Sequence, residues 1–374
     1  MNKINVLYIS PNGFLGGAER FVLNTTVAHK NSKKILPIYL FLNSGVTVEL
    51  YEANNQKIIV LPFKFKYSNF ISLIKTIVFI INIVKNENIK VIHATMPYAQ
   101  ILASIATLFT KVKTIWFQHG PVGGTLDQIA NLLPVDMILF NSKYLQKTHN
   151  KMFRAKRHIN DQLIINFGII KENSKTTNNI FNNNNKIKCI LAGRICEWKG
   201  QLTLLKCLNL FKNKKMFEFF IIGSPNNKAD YKYLETLNKY HKDHNLENVV
   251  KFIEHTNNIY DYMNQADILL HTSTIPEPFG LVVAEAMLNG CFVIGSNEGG
   301  VTDILRHLKT GITFDSCKNN AHLSLCESLN LYLELSIKDR KDIVLNSKHL
   351  IEKYYSIEQL SEQLESIYFK VIKE

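Results

Sequence analysis

Pro276-Glu277-Pro278-Phe279-Gly280-Leu281-Val282-Val283-Ala284-Glu285-Ala286-Met287-Leu288-Asn289-Gly290 decides how this chain is read. It lies between two short apolar runs, Ile268–His271 and Cys291–Ile294, which predict strands buried on both faces. Gly280 permits a tight turn, and Leu281–Leu288 then reads as a short helix stopped by Asn289-Gly290. Strand, turn, helix and strand make a βαβ unit, so a parallel sheet is expected. A helix that opens at the end of a strand aims unpaired backbone N–H groups outward, which suits a phosphate. Glu277 precedes the turn and Glu285 falls about one turn into the helix. Carboxylates in such places can accept hydrogen bonds from adjacent hydroxyls of a polyol.

The same alternation continues outward. Strands are expected at Ile187–Leu191, Phe217–Ile222 and Val249–Ile253, and helices at Leu202–Phe211, Tyr231–His241 and Ile259–Met263. The first half repeats the pattern. Ile4–Ile9, Ile35–Leu40, Ile58–Leu61, Val91–His93, Thr114–Gln118 and Met137–Phe140 read as strands, with helices at Ala18–Ala28, Ile71–Val84, Tyr98–Phe109 and Ser142–Asn150. Lys171–Lys186 is Asn-rich and without period, a linker. The tail Ile357–Ile372 is apolar at Leu360, Leu364, Ile367 and Val371, the spacing of an amphipathic helix. The fold class expected is therefore α/β, with two Rossmann-like, doubly wound domains facing a central cleft. Their bounds are residues 1–170 and 187–355, and residues 356–374 form the final helix.

Further motifs sit at strand ends. Gly193-Arg194-Ile195-Cys196-Glu197-Trp198-Lys199-Gly200 follows the strand Ile187–Leu191 and offers a guanidinium and an ammonium to a diphosphate. Arg194 is one of only 6 arginines beside 38 lysines, so a drift toward lysine does not account for it. Gly13-Phe14-Leu15-Gly16-Gly17-Ala18-Glu19-Arg20 follows the first strand, where Gly17 lets backbone approach a phosphate. Gln118-His119-Gly120-Pro121 places His119 at the end of the fifth strand.

These residues closely resemble the donor-site signature of family-4 retaining glycosyltransferases, which have the GT-B fold. The resemblance implies that Glu285 binds the ribose of a nucleotide sugar and that Glu277 approaches hydroxyls of the transferred sugar. It gives the diphosphate to the backbone of Phe279-Gly280-Leu281, and its contacts with cations to Arg194 and Lys199. Gly17 would lie beside the donor phosphate, and His119 would contact the transferring sugar. The donor domain would be the second, the acceptor domain the first, with the C-terminal helix returning to pack on the first. A UDP-sugar is the expected donor, and a lipid-linked glycan of a cell-surface polysaccharide such as lipopolysaccharide or O-antigen the expected acceptor. Asp303 stands where the family has Glu, and Phe252-Ile253-Glu254-His255 lacks the glycine many relatives place near the base. Two alternatives stay open: a GT-B nucleotide-sugar epimerase, and a non-catalytic donor-binding or membrane scaffold protein.

Charge and absences complete the reading. Residues 1–170 hold 19 Lys+Arg against 7 Asp+Glu, and residues 171–374 hold 25 against 24, so the first half carries nearly all of the +13 net charge. An anionic partner is expected there, and peripheral, salt-reversible membrane attachment through Lys64 and Lys66 fits it. The helix that follows these lysines is expected to be buried on the sheet, which leaves Lys64-Phe65-Lys66-Tyr67 as the surface loop. No reader motif for nucleic acid accompanies the charge. There is no Gly-x-Gly-x-x-Gly after a strand, no CxxC and no acidic pair for a nucleotide-bound metal, so no cofactor and no metal is expected. The six cysteines read as free thiols, and the opening run is too short for a signal peptide. A cytoplasmic location follows, on the inner face of the membrane.

Overall fold

Runs of apolar, β-branched residues form two separate parallel sheets in the structure, a computed structural model that describes residues 3–10, 16–30, 32–45, 48–49, 51, 56–153, 161–171, 179–182 and 184–373. The chain divides into two compact units, Met1–Ile169 with Tyr355–Glu374, and Ile170–Tyr354.

In the first unit β1 (Ile4–Ser10), β2 (Ile35–Phe41), β3 (Lys57–Val60), β4 (Ile89–Ala94), β5 (Lys113–Gln118), β6 (Met137–Phe140) and β7 (Gln162–Ile164) pair in the order β3-β2-β1-β4-β5-β6-β7. Helices cover both faces, so the middle of β1 is buried on both sides: Val6, Leu7, Tyr8 and Ile9 are all fully buried. The register sets Tyr8 opposite Tyr39 and His93. The helix Phe70–Asn86 buries Ile77, Ile80, Ile83 and Val84 on one side. The final helix, Ile357–Lys373, buries Leu360, Leu364, Ile367, Tyr368 and Val371 against this unit. Each such side chain contributes about 1.5–3 kcal/mol at most. Polar bonds fix its register: Ser361 Oγ donates to the Ala28 carbonyl at 2.8 Å, and Tyr368 Oη lies 2.8 Å from His93 Nδ1.

The second unit contains β8 (Ile187–Ala192), β9 (Phe217–Ile222), β10 (Val250–Ile253), β11 (Ile268–His271), β12 (Phe292–Ser296) and β13 (Ile312–Phe314), in the order β10-β9-β8-β11-β12-β13. Strand order reverses between β1 and β4 in one sheet and between β8 and β11 in the other. Loops leaving carboxyl ends at such a reversal splay apart and open a crevice, the usual ligand position in doubly wound sheets. Gly16-Gly17 follow β1, the Gly193–Gly200 loop follows β8, and Thr272–Gly280 follow β11.

Several features go beyond the sequence reading. β7 and β13, three residues each, were not expected, nor were the helices Thr125–Leu132, Ala321–Glu334 and Ile337–Tyr354. Within the segment read as linker, Phe181 is buried and its ring lies 4.6 Å from that of Phe220. Residues 172–178 and 183 of that segment lie outside the described residues, as do Gly13, Phe14 and Leu15 of the glycine loop. Phe65 and Tyr67 do not flank the lysines at the surface. Phe65 packs on the sheet core and the Tyr67 hydroxyl donates to the Tyr98 carbonyl at 2.8 Å, while Lys64 and Lys66 point outward. All six cysteines are free thiols. Among the described residues no helix is long and apolar enough to cross a membrane.

Candidate functional site

Two loops at the strand-order reversal of the second unit build the site. After β8 the chain turns through Glu197–Lys199 into Gly200, at φ 72°, where the helix Gln201–Leu210 begins. A side chain at Gly200 would place its Cβ 2.0 Å from the Thr272 carbonyl oxygen, so only glycine fits this left-handed, crowded position. That closeness lets the loop after β11 clamp the turn: Thr272 Oγ1 donates to the Lys199 carbonyl at 2.8 Å, and the Thr274 N–H to the Trp198 carbonyl at 2.8 Å.

The clamp delivers Lys199 to Glu277. Lys199 Nζ lies 2.7 Å from Glu277 Oε1, and both side chains are largely buried. The same oxygen accepts from His271 Nε2 at 3.1 Å and from the Ser273 hydroxyl. No described protein group bonds to Glu277 Oε2. Burial by itself would raise this carboxyl, but the charges and hydrogen bonds of Lys199 and His271 outweigh it and hold the group well below the usual carboxylate range. An ionised carboxylate only accepts, so His271 Nε2 carries the proton of that bond. The Glu277 backbone is fixed as well, because its carbonyl accepts from the Gly300 N–H at 2.7 Å.

Gly280, at φ 91°, caps the helix Leu281–Leu288. Its carbonyl accepts from the N–H groups of Val283 and Ala284, whereas the amides of Leu281 and Val282 have no protein acceptor among the described residues. Phe279 is buried and anchors the turn. Glu285 is half-buried, with Oε1 accepting from the Tyr260 hydroxyl at 2.9 Å. Arg194 does not join the Glu277 cluster. Its Nε lies 3.8 Å from Asp230 Oδ2, its guanidinium carbon is 5.8 Å from the Trp198 ring centre, and its side chain is 39% exposed, open to an anion from solvent. A cavity of about 690 Å³ opens beside the Glu197–Gly200 turn, lined in part by Thr203, Lys206, Lys232 and Lys318, and none of Arg194, Lys199, Glu277 or Glu285 lines it.

On the first unit, Gly17 is the first residue of the helix Gly17–His29, and nothing lies within 4 Å of where its Cβ would stand. His119 follows β5 with 6% exposure, its ring 3.9 Å from that of Phe117 and 4.8 Å from that of Phe21. Neither ring nitrogen has a protein partner among the described residues. Burial, and next the nearby His93, push its pKa well below the ordinary value, so the ring is neutral. The loop around it is braced by Asp127, whose Oδ1 accepts from Gln118 Nε2 at 3.1 Å and whose Oδ2 accepts from the Gly124 N–H at 2.9 Å.

Sequence reasoning missed His271, Ser273 and Tyr260, which hold the two glutamates. His271 is six and Ser273 four residues before Glu277, but no regular spacing marks them, and Tyr260 is 25 residues from Glu285.

Comparison with known proteins adds the following. The family model described as glycosyl transferases group 1 matches residues 172–367, just over half of the chain. Lipopolysaccharide 1,2-N-acetylglucosaminetransferase of Salmonella typhimurium is 24% identical over 190 residues, 47% of this chain and 46% of that protein. The chain thus covers about half the length of the curated relatives it matches. A glycosyltransferase from Rickettsia africae ESF-5 superposes with a TM-score of 0.86 over 100% of both chains at 18% identity. HepE of Anabaena, solved in complex with UDP, gives 0.82 over 98% of this chain and 100% of its own at 19% identity. Both structural likenesses concern the fold, two parallel-sheet α/β units of the GT-B class.

Proposed function

This chain belongs to the glycosyl transferases group 1 family, and on that premise we propose that it is a retaining, family-4-type enzyme that moves a sugar from a nucleoside-diphosphate sugar to an acceptor hydroxyl. A UDP-sugar is the favoured donor, in keeping with the UDP bound by HepE. One observation carries the proposal: an ionised Glu277 with one oxygen saturated by three donors and the other left without a described protein partner, beside a helix end with two open amides. The open oxygen suits sugar hydroxyls, and the amides of Leu281 and Val282 suit a diphosphate. Glu285, steadied by Tyr260, suits the ribose diol.

In the proposed reaction the bond from the anomeric carbon to the diphosphate oxygen breaks, and its electron pair leaves with the phosphate. Lys199, Arg194 and the helix amides stabilise the charge that builds there, the work a divalent metal would otherwise do. The acceptor hydroxyl attacks from the face the phosphate is leaving, and its proton passes to the departing phosphate oxygen. No enzymic nucleophile is required. His119 is neutral, with no carboxylate orienting it among the described residues, and suits hydrogen bonding to a sugar hydroxyl rather than general-base work. A lipid-linked glycan of cell-surface polysaccharide is the proposed acceptor and the cytoplasm the proposed location, in keeping with the lipopolysaccharide enzyme among the relatives.

The test is release of free nucleoside diphosphate from a panel of UDP-, GDP- and ADP-sugars, with and without lipid-linked and soluble glycan acceptors. Acceptor-dependent release supports the proposal. Sugar isomerisation without any acceptor would replace it with an epimerase.

A further inference from the structure

The helix Phe70–Asn86 is apolar on two sides, and only one of them is covered. Ile77, Ile80, Ile83 and Val84 face the sheet core. Phe70, Ile71, Ile74 and Val78 are 72%, 65%, 45% and 49% exposed. At about 100° per residue these four fall within one arc of roughly 100°, so they form a single stripe rather than scattered surface residues. Residues 61–86 contain Lys64, Lys66, Lys75 and Lys85 and no acidic residue. The loop that presents the first two lysines is held in place: Asn69 Oδ1 accepts from the Ser72 N–H at 3.1 Å, and Tyr67 is bonded to the Tyr98 carbonyl. An apolar stripe rimmed by cations without acids matches one occupant, a surface that is anionic outside and apolar beneath.

We propose that the outer face of this helix, with Lys64, Lys66 and Lys75, is the surface by which the protein lies on an anionic phospholipid membrane, with Phe70, Ile71, Ile74 and Val78 entering the interface. The helix lies in the plane of the membrane. A second copy of the chain is a poorer occupant, because a two-fold contact would set these lysines against their own counterparts with no acid between them. Placement also fits: the loop Leu61–Asn69 leaves the carboxyl end of β3, the same edge of the sheet that carries Gly17 after β1 and His119 after β5. A membrane met here lies alongside the edge where this unit's candidate residues stand. The surface does not depend on the proposed reaction, and its test uses no activity.

The experiment is co-sedimentation of the full chain with phosphatidylcholine vesicles, with and without phosphatidylglycerol, over a salt series. Binding is expected on the anionic vesicles and not on the neutral ones. Lys64→Gln/Lys66→Gln should weaken it about 30-fold, at about fivefold per lysine. Phe70→Ser/Ile71→Ser should weaken it too and make what remains fully removable by salt, whereas the wild type keeps a salt-resistant part. Melting temperatures of both variants should match the wild type, since the substituted side chains are exposed. Leu108→Ser/Phe109→Ser, another exposed apolar pair at 65% and 67%, should leave binding unchanged. Equal binding to neutral vesicles, no binding, or insensitivity to Phe70→Ser/Ile71→Ser would overturn the proposal. So would a dimer in sedimentation velocity that Phe70→Ser/Ile71→Ser dissolves, which would assign the face to a second copy.

Discussion

Removing the Lys199 ammonium should cost both stability and activity, by amounts that the Glu277 cluster sets. In Lys199→Met the stem is kept, but the strongest of three donors to Glu277 Oε1, at 2.7 Å, is gone. Breaking a buried ion pair from one side costs about 3–5 kcal/mol when the remaining charge stays ionised. Glu277 keeps His271 and Ser273, so the low end of that range is expected at neutral pH. The wild-type carboxyl is held below its unfolded value, so its contribution is fully present above the unfolded pKa and is lost as pH falls through the folded one. In Lys199→Met burial acts with less opposition, the carboxyl rises, and it can escape by taking up a proton. The deficit relative to wild type should therefore shrink as the buffer is made mildly acidic. Urea unfolding of wild type, Lys199→Met, Glu277→Gln and the double variant measures this. Glu277→Gln should recover most of the Lys199→Met deficit at neutral pH. Strict additivity of the two substitutions, or a deficit that grows on acidification, would refute the ion pair as the organising contact of the site.

Glu285→Ala should weaken UDP binding by about 1–3 kcal/mol in calorimetry, by removing an acceptor from the ribose, whereas Glu277→Ala should lower turnover more than nucleotide affinity; equal affinity losses would refute that division. Added chelator should leave transferase rate unchanged, and a rate abolished by chelator and restored by magnesium would overturn the assignment of charge stabilisation to Lys199 and Arg194. Leu364→Ala, at a fully buried position of the final helix, should destabilise the first unit by about 2–5 kcal/mol in thermal or urea unfolding, and a change under 1 kcal/mol would mean that the helix is not part of that core, on the order-of-magnitude scale of core truncations.

How much was legible follows from where each element gets its order. Phe217–Ile222 and Leu281–Leu288 were bounded correctly because an unbroken apolar run marks a strand covered on both faces, and a glycine stands at each end of the short helix. β7 pairs at the sheet edge with two of its three residues exposed, and β13 is too short for any period to register. The helix Ile337–Tyr354 buries only Ile343, Ser347 and Ile351 and leaves Ile337, Leu345 and Tyr354 exposed, so its apolar residues do not gather into one readable stripe. The pairing of Lys199 with Glu277 spans 78 residues and is made by the parallel neighbours β8 and β11, which no local pattern encodes. Arg194, expected beside Lys199, rests on Asp230 because the neighbouring helix Lys228–Asp243 presents that carboxylate in its first turn. The exposed stripe on Phe70–Asn86 was hidden for a different reason. A helix apolar on both sides reads as wholly buried, and only the fold shows which side the sheet covers.

A crystal structure of the protein with UDP tests the central claim most directly, because it locates the diphosphate without assuming an acceptor. The account predicts diphosphate oxygens within hydrogen-bond reach of Lys199 Nζ and of the Leu281 and Val282 amides, and the ribose on Glu285. A nucleotide seated instead in the cavity beside Lys206, Lys232 and Lys318, with Glu277 and Glu285 untouched, would contradict it.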